Sequence, residues 1–341
     1  MSFIEPRGVL LLNLGTPDAP TTSAVRRYLK QFPSDPRVID RPALGRLLLL
    51  YLFILPFRPR KSAAAYASVW SKETGSPLLS HSLSLRRKVQ AKLGPGYVVS
   101  LGMRYGNPSV ESAVGELESA GTTGFTCLPL FPQYSSAATG SAVEEVMRVT
   151  KGKWNLPSIR FLGAFHDHPG FLDAFADVAR PQLAAIRPDF VMFIYHGLPE
   201  RHMLKSDPTG KHCLASGGCC DVPVEANRFC YRAQCYATTR GIVKRLGLAE
   251  GSYVTTFQSR LGRTPWIKPY TDDYLPELAK TGVRRVAVLC PAFVADCLET
   301  IEEIGDRARH DWKEAGGEEL VLVTSLNSED AWVEVVADMV R

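Results

Sequence analysis

The chain has 341 residues, 45% of them hydrophobic and 22% charged, the profile of an ordinary globular protein long enough for two domains. That composition excludes disorder and collagen-like structure, and forty Lys+Arg against 35 Asp+Glu leave a formal +5, too mild to predict nucleic-acid binding without a basic patch backed by aromatics. No such patch stands in the sequence, so no nucleic-acid partner is expected.

Met1 to Pro6 lacks the basic, apolar and cleavage regions of a secretory signal, so the chain is expected to be cytoplasmic. Gly8 to Leu14 reads as a buried strand running into Gly15-Thr-Pro17. The longest apolar run, Leu47 to Phe57, has 11 residues, well short of the roughly 20 that cross a bilayer. Arg46 precedes it and Arg58, Arg60 and Lys61 follow, so it reads either as a buried core helix or as an amphipathic element resting at a lipid interface. Tyr97 to Met103 is the next strand, followed by Arg104-Tyr-Gly-Asn-Pro108. Phe125 to Phe131 is the third and leads into a helix with acidic residues. Ile159 to Phe165 is the fourth, with a helix beginning near Gly170.

The series then repeats. Phe190 to His196 runs into Gly197-Leu-Pro199; Tyr253 to Gln258 is followed by Ser259-Arg260 and Pro265; Val286 to Phe293 leads into an acidic helix; Leu320 to Thr324 precedes a last helix. Gly170 to Val178 matches Ala331 to Met339 at a constant offset of 161. Four pairs in one order predict an α/β protein made of two similar doubly wound, Rossmann-like domains, each a four-stranded parallel sheet, with a ligand cleft between the copies. The first domain is expected over 1–168 and the second over 169–328, with the helix 329–341 packing back on the first.

Ligands in open α/β sheets bind beyond the carboxyl ends of the strands. That rule selects Asn13, Leu14, Arg104, Tyr105, Phe131, Tyr134, His196, Arg260 and the acidic segment after Phe293. His196 at a strand terminus before a glycine is either a satisfied turn residue or a proton-transfer or metal-binding group. In the stretch Asp296 to Asp306, Glu299, Glu303 and Asp306 share one face if the segment is an α-helix, with Glu302 off it. Such a face is either solvated or binds a divalent cation, and imidazole with carboxylate suits Fe²⁺. The other six histidines show no H-E-x-x-H spacing, and no P-loop, G-x-S-x-G or G-x-G-x-x-G is present.

These residues resemble the ferrochelatases, enzymes that insert Fe²⁺ into protoporphyrin, over Gly8 to about Val340. The resemblance is carried by Asn13-Leu-Gly-Thr-Pro17, Trp70 with Gly75-Ser-Pro77, Met103-Arg-Tyr105, Phe131-Pro-Gln-Tyr-Ser-Ser136 with Thr139-Gly140, Tyr195-His-Gly-Leu-Pro199, Thr256-Phe-Gln-Ser-Arg260 with Pro265-Trp266, and Pro291-Ala-Phe293 with Asp296-Cys-Leu-Glu-Thr300. It implies a chelatase-like fold, His196 and Glu299 as catalytic groups handling Fe²⁺ and protons, and Glu303 and Asp306 as a relay toward solvent. It further implies Leu14, Arg104, Tyr105 and Phe131 as groups holding the macrocycle, Lys205 near the cleft mouth, and Leu47 to Phe57 as a lip touching the membrane surface. A haem-pathway oxidase that delivers porphyrin is an implied partner.

Five of eight cysteines, Cys213, Cys219, Cys220, Cys230 and Cys235, crowd in or beside a Cys-rich insertion over 207–230, while Cys127, Cys290 and Cys297 read as core packing. Disulfides are not expected in the cytosol, which leaves a metal site or free thiols. Zinc usually takes two C-x₂₋₄-C knuckles and this segment has one, Cys230 with Cys235. In animal ferrochelatases a cluster draws on a C-terminal extension, whereas no Cys follows Cys297 here, so the resemblance implies an internal 2Fe-2S cluster on four of the five thiols. The function expected is protoporphyrin IX ferrochelatase forming protohaem. The alternatives are a coproporphyrin III ferrochelatase and a non-catalytic tetrapyrrole- or metal-binding protein.

Overall fold

A parallel strand covered by helices on both faces needs an unbroken apolar run, and Val9 to Leu12 supplies one that is wholly buried. The computed structural model describes residues 5–260, 262 and 264–341; the first four residues of the Met1–Pro6 stretch, and Leu261 and Arg263, lie outside it. In the first unit β1 (Arg7–Thr16) lies inside a sheet of order β2-β1-β3-β4, with β2 Tyr97–Gly106, β3 Gly124–Pro129 and β4 Ser158–Phe161. All three pairings are parallel. Leu10 and Leu12 pack with Val114 and Leu117 of the helix Val110–Ser119 and with Val146 of the helix Ser141–Thr150. Where β1 ends, Gly15 has φ +111°, and a Cβ there would lie 1.8 Å from the carbonyl oxygen of Tyr105, so no other residue fits.

The second unit repeats this order as β6-β5-β7-β8, with β5 Phe190–His196, β6 Tyr253–Gln258, β7 Arg285–Leu289 and β8 Glu319–Leu322, again all parallel. Met192, Ile194, Val286, Val288 and Leu320 form its core with Leu275, Leu278, Ile304 and Trp312. The Trp312 indole is fully buried, and its N–H donates to the carbonyl of Arg284 at 3.1 Å, as a buried indole requires.

The first unit comprises Met1–Phe131, Ser136–Gly163 and Asn327–Arg341; the second comprises Pro132–Ser135 and Ala164–Leu326. Within the first, Lys88 pairs with Asp330 of the final helix at 2.7 Å. The second begins before residue 169 because Phe165 already belongs to its core: its N–H donates to Pro132 at 3.0 Å and its ring meets Phe171 edge-on at 5.4 Å. Pro132–Ser135 is tied in through Gln133 to Thr238 at 2.9 Å and the Tyr134 N–H to Gln234 at 2.6 Å.

The 11-residue apolar run is not a core helix. It passes from the helix Ala43–Leu49 through a π-helical turn Leu50–Ile54 into the helix Leu55–Val69. Leu50 and Leu55 anchor it, while Leu47, Leu48, Tyr51, Leu52, Phe53 and Phe57 are between 45% and 74% exposed. No helix among the described residues is long and apolar enough to cross a membrane.

Candidate active site

Strands β5, β6 and β7 end at one edge of the second sheet. His196 is the last residue of β5, in register with Gln258 of β6, whereas the pairing with β7 stops earlier, at Phe193 opposite Leu289. Gly197 turns the chain there: a Cβ would lie 2.8 Å from the Gln258 carbonyl and 3.2 Å from the Trp266 ring. The half-buried imidazole places Nδ1 2.6 Å from the Gly197 carbonyl. A carbonyl can only accept, so the proton sits on Nδ1 and the Nε2 lone pair is left for a metal or a proton. The Trp266 ring lies 6.5 Å from the imidazole, centroid to centroid.

Glu299 follows β7, the strand beside β5. It occupies a single α-turn, Leu298–Thr300, after which the chain winds as a π-helix over Ile301–Ala308. Burial pushes the Glu299 carboxyl up, and the neighbouring Glu303 carboxylate pushes the same way; bonds from Cys297 and the backbone and the charge of His196 oppose them without prevailing. Gln258 clamps this segment, its amide donating to the Glu299 carbonyl at 3.0 Å and to the Glu303 carboxylate at 3.3 Å. Ser259 also donates to Glu303.

The expected α-helical face needs correction. With i→i+5 bonding the turn is wider, so a residue seven positions from Glu299 no longer stays in line, and Asp306 is exposed. Glu302 is not apart from Glu303 either, because Arg307 pairs with both at 3.0 and 3.1 Å. Asp296 is structural: buried, it accepts from the Ser325 N–H and from Thr300. Pattern reading quoted Gln258 and Ser259 within a motif but gave them no task, and it missed Arg307, since a cation four residues on looks like any surface i,i+4 partner.

Beside Trp266 lies a cleft of about 590 Å³, lined by Glu200, Arg260, Thr264, Trp266, Lys268 and Tyr270 among others. Arg260 stacks over Tyr270 at 4.5 Å and is held by Asp272 and Asp273, each at 2.8 Å. Lys205 is exposed.

In the first unit, Arg104 and Tyr105 are committed to a buried carboxylate. Arg104 meets Asp35 at 2.7 Å and Ser141 Oγ at 2.7 Å, and the Tyr105 hydroxyl donates to Asp35 at 2.8 Å. Burial pushes the Asp35 carboxyl up, but hydrogen bonds from Ser141, the Arg37 N–H and Tyr105 and the Arg104 charge outweigh it and leave it below the ordinary range. Tyr105 is 1% exposed, with its hydroxyl engaged by Asp35. Leu14 and Phe131 are half-buried.

Four thiols of the second unit lie together. Cys213, Cys219, Cys220 and Cys230 are free thiols each at most 5% exposed, Cys219 and Cys220 have their sulfurs 3.7 Å apart, and the Cys230 thiol is near enough to those of Cys213 and Cys220 to affect their proton affinity. Cys235 lies deeper, at 0% exposure in the helix Tyr231–Leu246. The loop is organised by two polar hubs that its composition did not announce. The Asp207 carboxylate accepts from the N–H groups of Cys213, Thr209 and His212 at 2.7 to 2.8 Å, which hold it well below the ordinary range. Asn227 donates to the carbonyls of Cys219 and Val222. No three His, Cys, Asp or Glu side chains among the described residues converge as a single-ion site needs.

A carboxyl raised on folding favours the folded state fully below the ordinary carboxylate range and loses that contribution as pH rises through its folded value. Glu299→Gln cannot ionise and escapes the loss. The melting temperature of Glu299→Gln relative to wild type should therefore climb as pH rises above the ordinary carboxylate value of about 4.5. Calorimetry showing a flat or falling difference would mean that Glu299 is not held in a desolvated site.

A family model described as Ferrochelatase matches residues 6–341. The Ferrochelatase of Coxiella burnetii (strain Dugway 5J108-111) is 48% identical over 334 residues, covering 98% of this chain and 93% of the relative. That of Legionella pneumophila (strain Lens) is 48% identical over 336 residues, covering 98% of each. Agreement of that extent, running through both sheets and through the turns that carry His196 and Glu299, makes the chain a member of the ferrochelatase family, lyases that insert iron into a porphyrin.

Proposed function

We propose that the substrate is protoporphyrin IX and that His196 and Glu299 handle the incoming Fe²⁺ and the departing protons. Metallation puts one Fe²⁺ in the ring and releases two pyrrole protons, so it needs bases beside the ring nitrogens. One observation carries the reading: Gln258, in register with His196 at the end of β5, donates to the Glu299 carbonyl at 3.0 Å, so the imidazole and the carboxyl are held at one edge of the sheet. A carboxylate that binds its proton more tightly than usual is a better base. His196 Nε2, free because Nδ1 is engaged by Gly197, takes one proton or escorts the iron. Glu299 takes the other and passes it to Glu303, whose partners Ser259 and Arg307 lead outward. Passive binding of a tetrapyrrole gives no use for such a pair. His196→Ala should lower turnover at least a hundredfold in an anaerobic Fe²⁺-insertion assay with protoporphyrin IX and coproporphyrin III side by side. Retained turnover would overturn the role of His196, and preference for coproporphyrin would overturn the substrate.

The exposed run Leu47 to Phe57 supports a peripheral contact with the cytoplasmic face of a membrane, because an apolar patch flanked by Arg46, Arg58, Arg60 and Lys61 suits an anionic lipid surface, and protoporphyrin is poorly soluble in water. It is also where an oxidase delivering the porphyrin would meet the enzyme. Changing Leu48, Leu52 and Phe53 together to Ser should reduce sedimentation with anionic liposomes severalfold without lowering the melting temperature. Unchanged sedimentation would remove the lip from the membrane.

The thiol pocket fits a 2Fe-2S cluster better than zinc. Zinc usually takes two C-x₂₋₄-C knuckles and this segment has one, Cys230 with Cys235, whereas a binuclear cluster takes its thiolates two to an iron from looser spacing. Cys213, Cys219, Cys220 and Cys230 would hold it, with Cys235 behind them; bound there, the cluster would supply a redox-active or structural iron centre. Protein purified anaerobically should be red-brown, with close to two irons and two sulfides per chain, and Cys213→Ser should bleach it. Colourless, zinc-loaded protein from iron-replete cells would overturn the cluster.

A further inference from the structure

Three successive residues at the start of the helix Tyr231–Leu246 touch both the thiol pocket and the candidate catalytic strand end. Cys230, the residue just before the helix, contributes its thiol to the pocket. Arg232 donates from Nη1 to the sulfur of Cys220 at 3.2 Å and lies 3.9 Å from that of Cys219. Its guanidinium is fixed from the other side, over the Tyr236 ring at 4.9 Å and by a bond to the Lys268 carbonyl at 3.3 Å. Between them, the buried Tyr231 hydroxyl donates to the carbonyl of His196 at 3.0 Å.

Backbone accounting shows why that bond matters. In a parallel sheet alternate residues of a strand bond to opposite neighbours. Val191 and Gly197 donate toward β6, to Ser252 and Gln258, so the even-numbered residues of β5 face β7. Since β7 pairs no further than Phe193, the His196 carbonyl has run past its strand partner. A buried carbonyl in that position needs another donor, and Tyr231 is it. The same peptide plane joins His196 to Gly197, whose own carbonyl anchors Nδ1 of the imidazole. Without the Tyr231 bond the plane is held on one side only, by the Gly197 N–H to Gln258, and the ring anchored to it is loosened.

We propose that Tyr231 is a positioning residue for His196, and that through Cys230 and Arg232 the state of the thiol pocket is felt at the imidazole. The proposal rests on His196 as the reacting group but not on which metal the thiols hold.

Tyr231→Phe in the full chain removes one hydroxyl and leaves the ring. Turnover should fall about tenfold with the KM for porphyrin nearly unchanged, because orientation rather than binding is lost. Independently of turnover, histidine-selective nitrogen NMR of the metal-free protein should show the His196 ring moving from a pure Nδ1–H tautomer toward a mixture. Arg232→Gln keeps the hydroxyl but cuts its tie to the sulfurs, and should move the same signal in the same direction by less. The double variant should be no worse than Tyr231→Phe, because the two changes act through one bond. An unmoved His196 signal in Tyr231→Phe overturns the positioning role, and additive effects in the double variant overturn the coupling. If Tyr231→Phe does not fold, Arg232→Gln decides, and an unmoved signal there overturns the proposal. Full turnover in His196→Ala would instead sink the catalytic role of the imidazole, while the tautomer measurement would still report whether Tyr231 holds it.

Discussion

A strand covered by helices on both faces has no place for a working polar side chain along its length; only the residue past its last interior position can meet a ligand. That constraint governs both sheets. Because every pairing is parallel, the carboxyl ends of β5, β6 and β7 fall on one edge, and His196, Gln258 and the segment bearing Glu299 are delivered there by chain direction alone. The apolar interiors, Val9 to Leu12 in one unit and Val191 to Tyr195 in the other, make the scaffold stiff enough to hold such an edge.

Unequal strand length then shapes the chemistry. Since β7 stops pairing three residues before β5 ends, the last peptide of β5 keeps its N–H in the ladder, from Gly197 to Gln258, while its carbonyl has no strand partner and is satisfied by a side chain. Tyr231 caps its carbonyl, and Gly197 turns so that its own carbonyl sets the imidazole tautomer. After β7 the chain takes only one α-turn before widening into the π-helix that carries Glu303. Two carboxyl groups so near each other raise the proton affinity of the more buried one. Arg307 and Gln258 hold the outer one in place.

Elsewhere a buried carboxylate plays the opposite part. Asp35 and Asp207 are acceptors surrounded by donors, and both are held below the ordinary carboxylate range, one drawing in Arg104 and Tyr105, the other gathering the N–H groups that shape the cysteine loop. Raised acid and lowered acid thus mark different tasks within one chain. Where desolvation prevails over hydrogen bonds the group is suited to carry protons, and where hydrogen bonds prevail it is a structural hub.

Much was legible in the order of residues, because apolar runs and their turns depend on local chemistry. The duplicated four-strand unit, the parallel sheets and His196 at a strand terminus followed from Gly8 to Leu14, Phe190 to His196 and their counterparts. What an α-helical ruler could not foresee was the π-winding along which Asp306 is exposed and Glu302 and Glu303 share Arg307, while Ile304 packs in the core with Val286, Val288 and Trp312. Nor could spacing show that Tyr105 spends itself on Asp35, seventy residues away, or that Cys213, Cys219, Cys220 and Cys230 draw together while Cys235 stays inside its helix. The sequence by itself determined the elements, their direction and hence the edge where a ligand must bind. Only the tertiary structure decided which polar groups at that edge are free and which are already bonded, because hydrogen bonds between distant residues leave no periodic trace in the chain.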